Sequence, residues 1–423
     1  MKLHWQILIA IALAIGIGLL LPEDARLFGV TVHSVFAFLG TLFLNGLKMI
    51  IVPLIVSSII CGVSSLGTED NLGRLGIKTI AFYMLSSLAA ILIGLMFVNL
   101  LTPGIIDGEA AGHRLNLSPP EQLAATLENV QSHDSSDIAA IFLRMVPPNI
   151  VKAAADGQML GLICFSLLFG FFMTRLKPEL RHTLDNFWQA VFETMMPVTM
   201  FIMKFAPVGV FGLVANTVMA TGFDAFEPLA VFFFTVVLAL AFHTFVTLAV
   251  ALKTIAGINP LRHYRAMASA MLTAFSTASS SGTLPLTMRC VEQNAGVSNR
   301  VSSFVLPLGA TVNMDGTALY ECVAAMFIAQ AYGLELSFVT QFSIVLVALL
   351  TSIGVAGIPA ASLVAITVIL GVIGLPAEAI GMLLVTDRIL DMLRTAVNIF
   401  SDSCCAVIIA KSEGENQVLA EPR

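Results

Sequence analysis

The chain has 423 residues, of which 57% are hydrophobic and only 11% are charged. A soluble domain carries about 25% charged residues, so this composition indicates an integral membrane protein and excludes a soluble globular one. The net charge of −6 argues against a nucleic-acid-binding protein, because it leaves no basic stripe for phosphate groups.

Apolar segments follow one another along the chain, most of them at or above the length of about 20 residues that crosses a bilayer. They lie at 5–22, 32–65, 76–102, 138–174, 187–220, 226–252, 262–291, 300–331, 337–373 and 376–410. Several exceed one straight crossing, so they must tilt, break or fold back. The first segment lacks a convincing small-residue cleavage site, which favours a retained helix over a signal peptide. The six cysteines lie in apolar stretches without disulfide or metal spacing, which favours packing roles.

Lysine and arginine are unevenly distributed between the connections. They cluster at 74–78, 175–181 and 253–265 and recur at Lys411, whereas 103–137 contains one arginine and no lysine. By the positive-inside rule, 103–137 is predicted to be extracellular and both termini cytoplasmic. This topology requires an even number of full crossings.

Two segments are interrupted at their centres by small and polar residues. Residues 277–285 read TASSSGTLP and residues 351–359 read TSIGVAGIP. Irregular backbone at membrane depth is tolerated only where protein or water covers its polar groups. We therefore predict two re-entrant helical hairpins, at 262–291 and 337–373, which open to opposite sides and form an inverted repeat. Chance similarity of two short strings is the alternative, and the shared order of hairpin then polar helix argues against it.

The last segment carries polar side chains on one helix face. At about 100° per residue, six of them fall within about 100° of arc. They are Asp387, Asp391, Arg394, Thr395, Asn398 and Asp402. A charged residue at bilayer depth costs about 2.5 to 3.5 kcal/mol, so this stripe is predicted to be functional, with a structural ion-pair network as the alternative. Arg388 is interpreted as an interhelical partner.

A second polar cluster precedes it in 309–317, which read GATVNMDGT. Asn, Asp and Gly favour local unwinding of a helix. The carbonyl oxygens freed there, with the carboxylates of Asp315 and Asp402, would bind a hard monovalent cation. A weaker contribution comes from three hydroxyl groups on about one helix face, in Tyr83, Ser86 and Ser87.

The donors and acceptors of these segments fit an acidic amino acid. Arg394 offers a planar fork for a carboxylate, and Asp391, one turn earlier, can pair with an ammonium group. Backbone amides at Ser279–Ser281 can hold a second carboxylate. The remaining hydrogen bonds can come from Thr317, Thr395 and Asn398. A ligand with two carboxylates and one ammonium group, together with its cations, would neutralise the stripe.

The chain resembles the glutamate/aspartate transporter family, the dicarboxylate/amino acid:cation symporters, over essentially its whole length. The resemblance rests on SSSGT, NMDGT, the GIP hairpin and DxxxDxxRTxxNxxxD, which are specific when found in this order. It implies an all-α integral membrane fold of eight transmembrane helices and two re-entrant hairpins with inverted repeats, in a homotrimer with an elevator mechanism. It also implies a multi-pass protein of the cell inner membrane that is not an enzyme and takes up aspartate and/or glutamate with sodium ions.

The same resemblance divides the chain into a fixed scaffold and a moving transport domain. Residues 1–75 and 138–255 are expected to form mainly scaffold and trimer contacts, with 103–137 as an extracellular loop. Residues 76–102 and 256–423 are expected to form mainly the transport domain. Its parts are the third helix, hairpin 262–291, unwound helix 300–331, hairpin 337–373 and last helix 376–410.

The resemblance also assigns site residues. Substrate contacts are expected from the backbone of Ser280 and from Thr317, Asp391, Arg394, Thr395 and Asn398, with Val355 to Gly357 as the extracellular gate. One expected sodium site comprises Gly309, Asn313, Asn398 and Asp402. Another comprises Tyr83, Ser86, Ser87, Asn313 and Asp315. A third uses backbone carbonyl groups of Thr311, Ser352, Ile353 and Val355.

Three residues depart from the family pattern. Ala278 stands where archaeal members carry an arginine, and Met392 stands where animal members carry one. Transport speed and potassium counter-transport therefore stay open. Ser362 replaces a frequent glycine near the second hairpin tip, where it could add a polar contact or crowd the site.

Other functions remain as alternatives. A C4-dicarboxylate carrier would have no ammonium group for Asp391, and proton coupling is disfavoured by the sodium-type side chains. An intramembrane enzyme or a channel is a different class. No nucleophile–base pair is recognisable, and His243 and His263 are isolated in the sequence, which favours interhelical or interfacial roles.

Overall fold

The protein is built almost entirely of helices. The computed structural model describes residues 3–22, 25–27, 29–65, 73–115, 117, 143, 145–156, 158–221, 224, 226–354, 361–415 and 417–419. Its strands form two short antiparallel hairpins within this part of the chain. Strand β1 (Arg26–Leu27) pairs with β2 (Val30–Thr31), and β3 (Ile105–Ile106) pairs with β4 (Glu109–Ala110).

The first half of the chain forms nine helices within the described ranges. They are α1 (Leu3–Leu20), α2 (Val32–Ser65), α3 (Gly73–Leu101), α4 (Ile150–Ala155), α5 (Met159–Met173), α6 (Pro178–Met203), α7 (Ala206–Thr221), α8 (Phe226–Phe242) and α9 (Leu248–Ile255). A π-helical turn, His243–Thr247, joins α8 to α9, and a 3-10 turn covers His113–Leu115. The predicted apolar segment 187–220 is divided between α6 and α7.

The second half forms seven further helices within the described ranges. They are α10 (Pro260–Thr277), α11 (Ser280–Arg289), α12 (Asn299–Val312), α13 (Asp315–Ala331), α14 (Phe338–Gly354), α15 (Ala361–Ile373) and α16 (Leu384–Ser412). A π-helical turn, Cys290–Asn294, follows α11, and a 3-10 turn, Ala377–Leu383, precedes α16.

Several helices are long and apolar enough to cross a bilayer. In the described ranges, three qualify alone: Arg74–Leu101, Phe226–Ile255 and Ala379–Ser412. The pair α6 and α7 qualifies together, with a bend of 50° between them. Helix α3 leaves large apolar side chains exposed, with Leu85 at 68% and Leu100 at 72%. An apolar exposed surface of this kind suits contact with lipid, and the multi-pass membrane class predicted from composition holds.

Helix α13 lies at the centre of the molecule. Every residue from Asp315 to Ala331 is buried, by packing against α3, α8, α14, α15 and α16. A helix that is mostly apolar on all sides belongs in such a position. Its polar exceptions, which include Asp315, Thr317 and Glu321, are therefore held against neighbouring helices rather than water.

The helices of the second half are interrupted at the helix-breaking residues identified in the sequence. Helix α10 ends because Ala278 adopts a left-handed conformation with φ of 49°, and α11 starts where the Ser279 side chain accepts a hydrogen bond from the Gly282 amide. Asn313 and Met314 are non-helical and separate α12 from α13, which confirms the predicted unwinding. The second interruption follows α14, and the gate residues Val355 and Gly357 lie outside the described residues.

Candidate functional site

Arg394 is the most deeply buried charge of the polar stripe on α16. Its side chain is only 1% exposed. Its Nη2 donates to Asp387 Oδ1 over 3.0 Å and to Asp391 Oδ1 over 3.1 Å. Its guanidinium carbon lies 3.8 Å from the centroid of the Tyr320 ring on α13. Ion pairs on its own helix and an aromatic face therefore fix its position.

Two nitrogen groups of Arg394 remain without a partner. Nε and Nη1 are buried and form no hydrogen bond with any described residue. Buried donors are normally satisfied, and planar guanidinium donors match the two oxygens of a carboxylate. The arrangement can therefore accept a carboxylate group beside the two aspartates.

Asn398 joins α16 to the first turn of α13. Its Oδ1 accepts hydrogen bonds from the Gly316 amide over 2.8 Å and the Thr317 amide over 3.4 Å, and its Nδ2 donates to Thr317 Oγ1 over 3.0 Å. These amides belong to the start of a helix, where no helical carbonyl group is available. Thr395 instead donates to the backbone oxygen of Asp391 over 2.8 Å. The three predicted hydrogen-bonding side chains thus bond to protein atoms in this structure.

The contact between α13 and α16 requires glycine. A Cβ atom on Gly316 would lie 2.8 Å from the backbone oxygen of Arg394 and 3.2 Å from Asn398 Oδ1. Gly309 on α12 is equally constrained, because a Cβ atom there would collide with the carboxylate of Asp402. The glycines of the GATVNMDGT motif therefore let the backbone approach the polar stripe closely.

Asp315 lies at the centre of a fully buried polar cluster. Its Oδ1 accepts a hydrogen bond from Ser87 Oγ over 2.7 Å. Its Oδ2 accepts from Ser86 Oγ and, over 2.6 Å, from Ser401 Oγ. The same oxygen lies 3.1 Å from His243 Nε2. Helices α3, α13 and α16 and the π turn after α8 thus meet at one carboxylate.

Asp402 forms a second buried carboxylate next to this cluster. Its Oδ1 accepts from Asn313 Nδ2 over 2.9 Å, and Asn313 Nδ2 also donates to Ser401 Oγ. Asn313 Oδ1 is buried without a hydrogen-bond partner among the described residues. Tyr83, which donates to the Val305 carbonyl oxygen over 2.7 Å, lies beside Gly309. Most of the side chains predicted for two sodium sites are therefore neighbours.

The donor set of this cluster suits a small cation. Among the described residues, neither Asp315 nor Asp402 forms an ion pair with a lysine or arginine, and the basic group that faces Asp315 is the imidazole of His243, 3.1 Å from Oδ2. A buried carboxylate without a compensating charge is strongly unfavourable. Hard cations take oxygen ligands from carboxylate, amide carbonyl and hydroxyl groups, and Asn313 Oδ1 supplies an additional unengaged oxygen. A sodium ion fits this chemistry.

The other predicted ligands are only partly described. Ser352 and Ile353 lie in the last turn of α14, and Thr311 lies in the last turn of α12. The side chain of Thr311 donates to the Leu308 carbonyl oxygen over 2.9 Å. Ser280 is buried at the start of α11, where first-turn amides lack helical partners. These positions remain predictions for the third sodium site and for the second substrate carboxylate.

One interpretation from the sequence was wrong. Arg388 was expected to pair with another helix, but its Nη1 donates to Asp391 Oδ2 on α16 over 3.3 Å. A long arginine side chain can reach a residue three positions along its own helix. His263 does bridge two helices, because its Nε2 lies 2.9 Å from Ser403 Oγ. Ser362 is buried, and its hydroxyl group has no partner among the described residues.

Four residues near the site were not predicted from the sequence: His243, Ser401, Tyr320 and Glu321. Glu321 Oε2 accepts from Thr351 Oγ1 over 3.1 Å, while Oε1 is buried without a partner in the described chain. Helical spacing offered a signal for both α13 residues, since Tyr320 and Glu321 follow Thr317 by three and four positions. No sequence signal linked His243 to Asp315, 72 positions away.

Comparisons with known proteins identify the family. The model of the sodium:dicarboxylate symporter family matches residues 3–412. A proton/glutamate-aspartate symporter of Escherichia coli (strain K12) is 36% identical over 97% of this chain and 93% of that protein. A proton/sodium-glutamate symport protein of Geobacillus stearothermophilus is 36% identical over 98% and 95%. Excitatory amino acid transporter 3 of Oryctolagus cuniculus is 33% identical over 97% and 86%.

These matches confirm the resemblance carried by the four motifs, and they span nearly the whole chain. They also confirm the prediction that the protein is not an enzyme, because the family and these relatives are transporters. The chain is a multi-pass membrane transporter that belongs to the sodium:dicarboxylate symporter family.

Proposed function

We propose that the protein takes up acidic amino acids, aspartate and/or glutamate, by symport with sodium ions. One observation carries this proposal: Arg394 is buried beside two aspartates and keeps Nε and Nη1 without a partner among the described residues. A carboxylate ligand would complete those hydrogen bonds. The names of the relatives, which refer to glutamate, aspartate and excitatory amino acids, support the same substrate class.

The proposed substrate would lie between α16 and the start of α11. Arg394 would bind the side-chain carboxylate, and Asp391 would pair with the ammonium group. The amides at Ser280 would bind the second carboxylate, because a helix start favours anions. The hydroxyl groups of Thr317 and Thr395 and the side-chain amide of Asn398 would exchange their present hydrogen bonds for bonds to the ligand. Val355 and Gly357 would close the site from outside.

Sodium ions would bind at the two carboxylate clusters on either side of Asn313. The first site would use Tyr83, Ser86, Ser87, Asn313 and Asp315. The second would use Gly309, Asn313, Asn398 and Asp402. The third would use backbone carbonyl groups of Thr311, Ser352, Ile353 and Val355. The buried carboxylates without lysine or arginine partners in the described chain support this assignment.

Coupling between the cations and the substrate would pass through Gly316. This residue follows Asp315 directly, its amide donates to Asn398, and its Cα packs against the backbone of Arg394. A cation that draws Asp315 and Asn313 together would therefore fix the backbone that supports Arg394. Through this contiguous set of contacts, an ion would raise the affinity for a substrate it does not touch.

The transport cycle would be an elevator movement in a homotrimer of the cell inner membrane, with both termini cytoplasmic. Residues 1–75 and 138–255 would form the scaffold, and 76–102 and 256–423 would move with the substrate. The close packing of α13 against α3, α14, α15 and α16 supports movement of these helices as one body, although α13 also packs against α8, which lies in the range assigned to the scaffold. Residues 103–137 would remain an extracellular loop.

Proton co-transport is a second candidate because of Glu321. This carboxyl group is buried, accepts a single hydrogen bond from Thr351, and has no partner at Oε1 among the described residues. A buried carboxyl group with so little compensation is cheaper to hold in its protonated form. Two of the compared relatives carry the word proton in their names. Glu321 would then carry a proton beside the sodium ions.

Uptake of labelled aspartate into proteoliposomes tests both candidates. Under the leading proposal, an inward sodium gradient drives accumulation above equilibrium, and replacing sodium with choline abolishes it. Uptake that persists without sodium and collapses with the proton gradient would overturn sodium coupling. Glu321→Gln separates the candidates, because it leaves sodium-driven uptake intact if Glu321 carries no proton, and removes dependence on the proton gradient if it does.

A further inference from the structure

The chain that follows α16 turns back against the helices. Gly414 adopts a left-handed conformation with φ of 91°, and the amide of Glu415 donates to the Ala410 carbonyl oxygen over 3.0 Å. Glycine in this conformation commonly ends a helix, because it reverses the chain while the last carbonyl groups keep hydrogen bonds. The turn places residues 413–415 and 417–419, called the C-terminal strap below, against α3 and the connection between α11 and α12.

The C-terminal strap bonds to the start of α12 through Glu415. Its Oε2 accepts from the Ser298 amide over 2.9 Å, and its Oε1 accepts from Ser298 Oγ. Ser298 directly precedes the first turn of α12 and forms no side-chain cap of its own helix. A carboxylate is favoured at a helix start, where amide groups lack helical partners and the helix dipole is positive. Glu415 therefore caps α12 from a distant part of the chain.

The end of the strap is packed into the protein interior. The amide of Leu419 donates to the Ala295 carbonyl oxygen over 3.0 Å. The side chain of Val418 is only 1% exposed, in an apolar cluster that includes Val291 and Val297. These partners lie in the connection between α11 and α12 and in the π turn before it. Backbone hydrogen bonding and apolar burial thus hold the strap to this connection.

The beginning of the strap is bonded to α3. Lys78 Nζ donates to Glu413 Oε1 over 2.6 Å and to Ser412 Oγ over 3.0 Å. Arg74 Nη2 lies 3.3 Å from the same carboxylate oxygen of Glu413. The strap therefore joins three parts of the chain that are far apart in sequence: α3, the connection between α11 and α12, and the end of α16.

The connection between α11 and α12 lies at the mouth of the first predicted hairpin, 262–291. Helix α11 runs from this mouth back to Ser280, whose amides are proposed to bind a substrate carboxylate. Asn294 Nδ2 donates to the Ala266 carbonyl oxygen over 2.9 Å, so the two arms of the hairpin are also bonded to each other at the mouth. The hairpin can swing away from α16 as a unit only if the contacts of the strap break.

We propose that the C-terminal strap holds the first hairpin closed on the cytoplasmic side. Without the strap, the hairpin opens independently of the gate at Val355 to Gly357, so the site becomes accessible from both sides and substrate passes without sodium. This inference rests on the proposed function for the substrate, the ion and the side of the membrane. It goes beyond that function because it assigns a role in coupling to residues outside the site.

Two variants and two matched controls test the role of the strap. Truncation after Ser412 removes the strap, and Glu415→Ala removes only its side-chain contacts with Ser298. Truncation after Leu419 keeps the strap, and Glu335→Ala removes a carboxylate from an exposed position between α13 and α14.

Each protein is measured in two ways. Hydrogen–deuterium exchange of the purified protein reports opening at residues 290–299. Release of labelled aspartate from preloaded proteoliposomes, with no sodium on either side, reports passage without the ion.

Both strap variants are expected to change in both measurements. Exchange at residues 290–299 becomes at least about tenfold faster, because these amides open locally, while exchange in α13 stays unchanged. Aspartate release without sodium becomes at least about fivefold faster, as expected for a shift of the hairpin toward its open state. The two controls match the wild type. A variant that fails to fold would lose sodium-driven uptake without releasing aspartate faster than protein-free liposomes.

Either of two results would overturn the inference. Unchanged exchange at residues 290–299 after truncation would show that the strap does not hold the hairpin. Faster exchange without faster aspartate release would show that the hairpin does not control passage. If the truncated protein does not fold, the same two results in Glu415→Ala decide. A wild type without sodium-driven uptake contradicts the proposed function, whereas the exchange measurement still decides whether the strap holds the hairpin.

Discussion

The guanidinium carbon of Arg394 lies 3.8 Å from the centroid of the Tyr320 ring, so the polar face of α16 meets α13 through a cation–π contact. Both side chains are almost completely buried. The ring covers one face of the guanidinium group, while its in-plane Nε and Nη1 donors lack partners among the described residues. The contact therefore orients the guanidinium group without occupying its Nε and Nη1 donors.

Replacement of Tyr320 tests this orientation. Tyr320→Phe keeps the ring face and is expected to bind aspartate within about threefold of the wild type, whereas Tyr320→Leu loses a desolvated cation–π contact worth about 2 kcal/mol. The Leu variant should therefore bind about 30-fold more weakly in a calorimetric titration. Equal affinities in the two variants would show that the ring face does not orient Arg394.

Gly316→Ala tests the close approach between α13 and α16. The added Cβ atom would lie 2.8 Å from the Arg394 backbone oxygen, so the helices must separate. Overpacking of this kind costs about 1–3 kcal/mol, and both the melting temperature and aspartate binding should fall. Gly371→Ala on α15 is the control, since a Cβ atom at Gly371 would have no neighbouring atom within 4 Å. Similar melting temperatures for the two variants would contradict the packing argument.

Asp315→Asn tests the proposed sodium site around Asp315. The amide keeps the size of the side chain but removes the charge that a sodium ion would neutralise. We expect the sodium concentration for half-maximal aspartate binding to rise by at least about tenfold, since a lost close charge pair costs upward of about 1.5 kcal/mol. Asp156→Asn, at the exposed end of α4, should leave it unchanged. An unchanged sodium dependence in Asp315→Asn would exclude Asp315 as a ligand.

Glu413 gives a prediction about pH. A hydrogen bond from Lys78, with Arg74 nearby, holds the pKa of Glu413 below its usual value of 4.5. A lowered pKa stabilises the folded protein above about pH 4.5, and this contribution is lost as the pH falls through the lowered value. Because the pair is near the surface, it is worth at most about 1 kcal/mol.

The measurement for Glu413 compares melting temperatures of the wild type and Glu413→Gln between pH 7 and pH 4. The wild type should be slightly more stable at pH 7, and the difference should shrink toward pH 4. If the difference in melting temperature instead grew as the pH fell, the pKa of Glu413 would not be lowered in the folded protein.

Features encoded locally in the sequence were predictable. The polar face of α16 follows from helical periodicity, and the break at Asn313 and Met314 follows from the composition of NMDGT. The end of α10 at Ala278 follows from the TASSSG string. In each case the signal lies within a few residues of the feature.

Contacts between distant segments were not predictable. His243 and Ser401 meet Asp315 only because α8, α13 and α16 pack together. The partner of Arg388 was missed for a different reason. A helical wheel positions Cβ atoms, whereas the reach of a long side chain to Asp391 depends on its rotamer.

We propose that Arg394 tolerates burial because an acidic ligand completes its hydrogen bonds. Calorimetric titration of aspartate into the wild type and Arg394→Lys, in sodium buffer, tests it most directly. Lysine keeps a positive charge for Asp387 and Asp391 but lacks the planar fork of donors. We therefore expect the variant to fold and the binding free energy of aspartate to weaken by about 2 kcal/mol or more. Unchanged aspartate affinity in a folded Arg394→Lys protein would contradict the account.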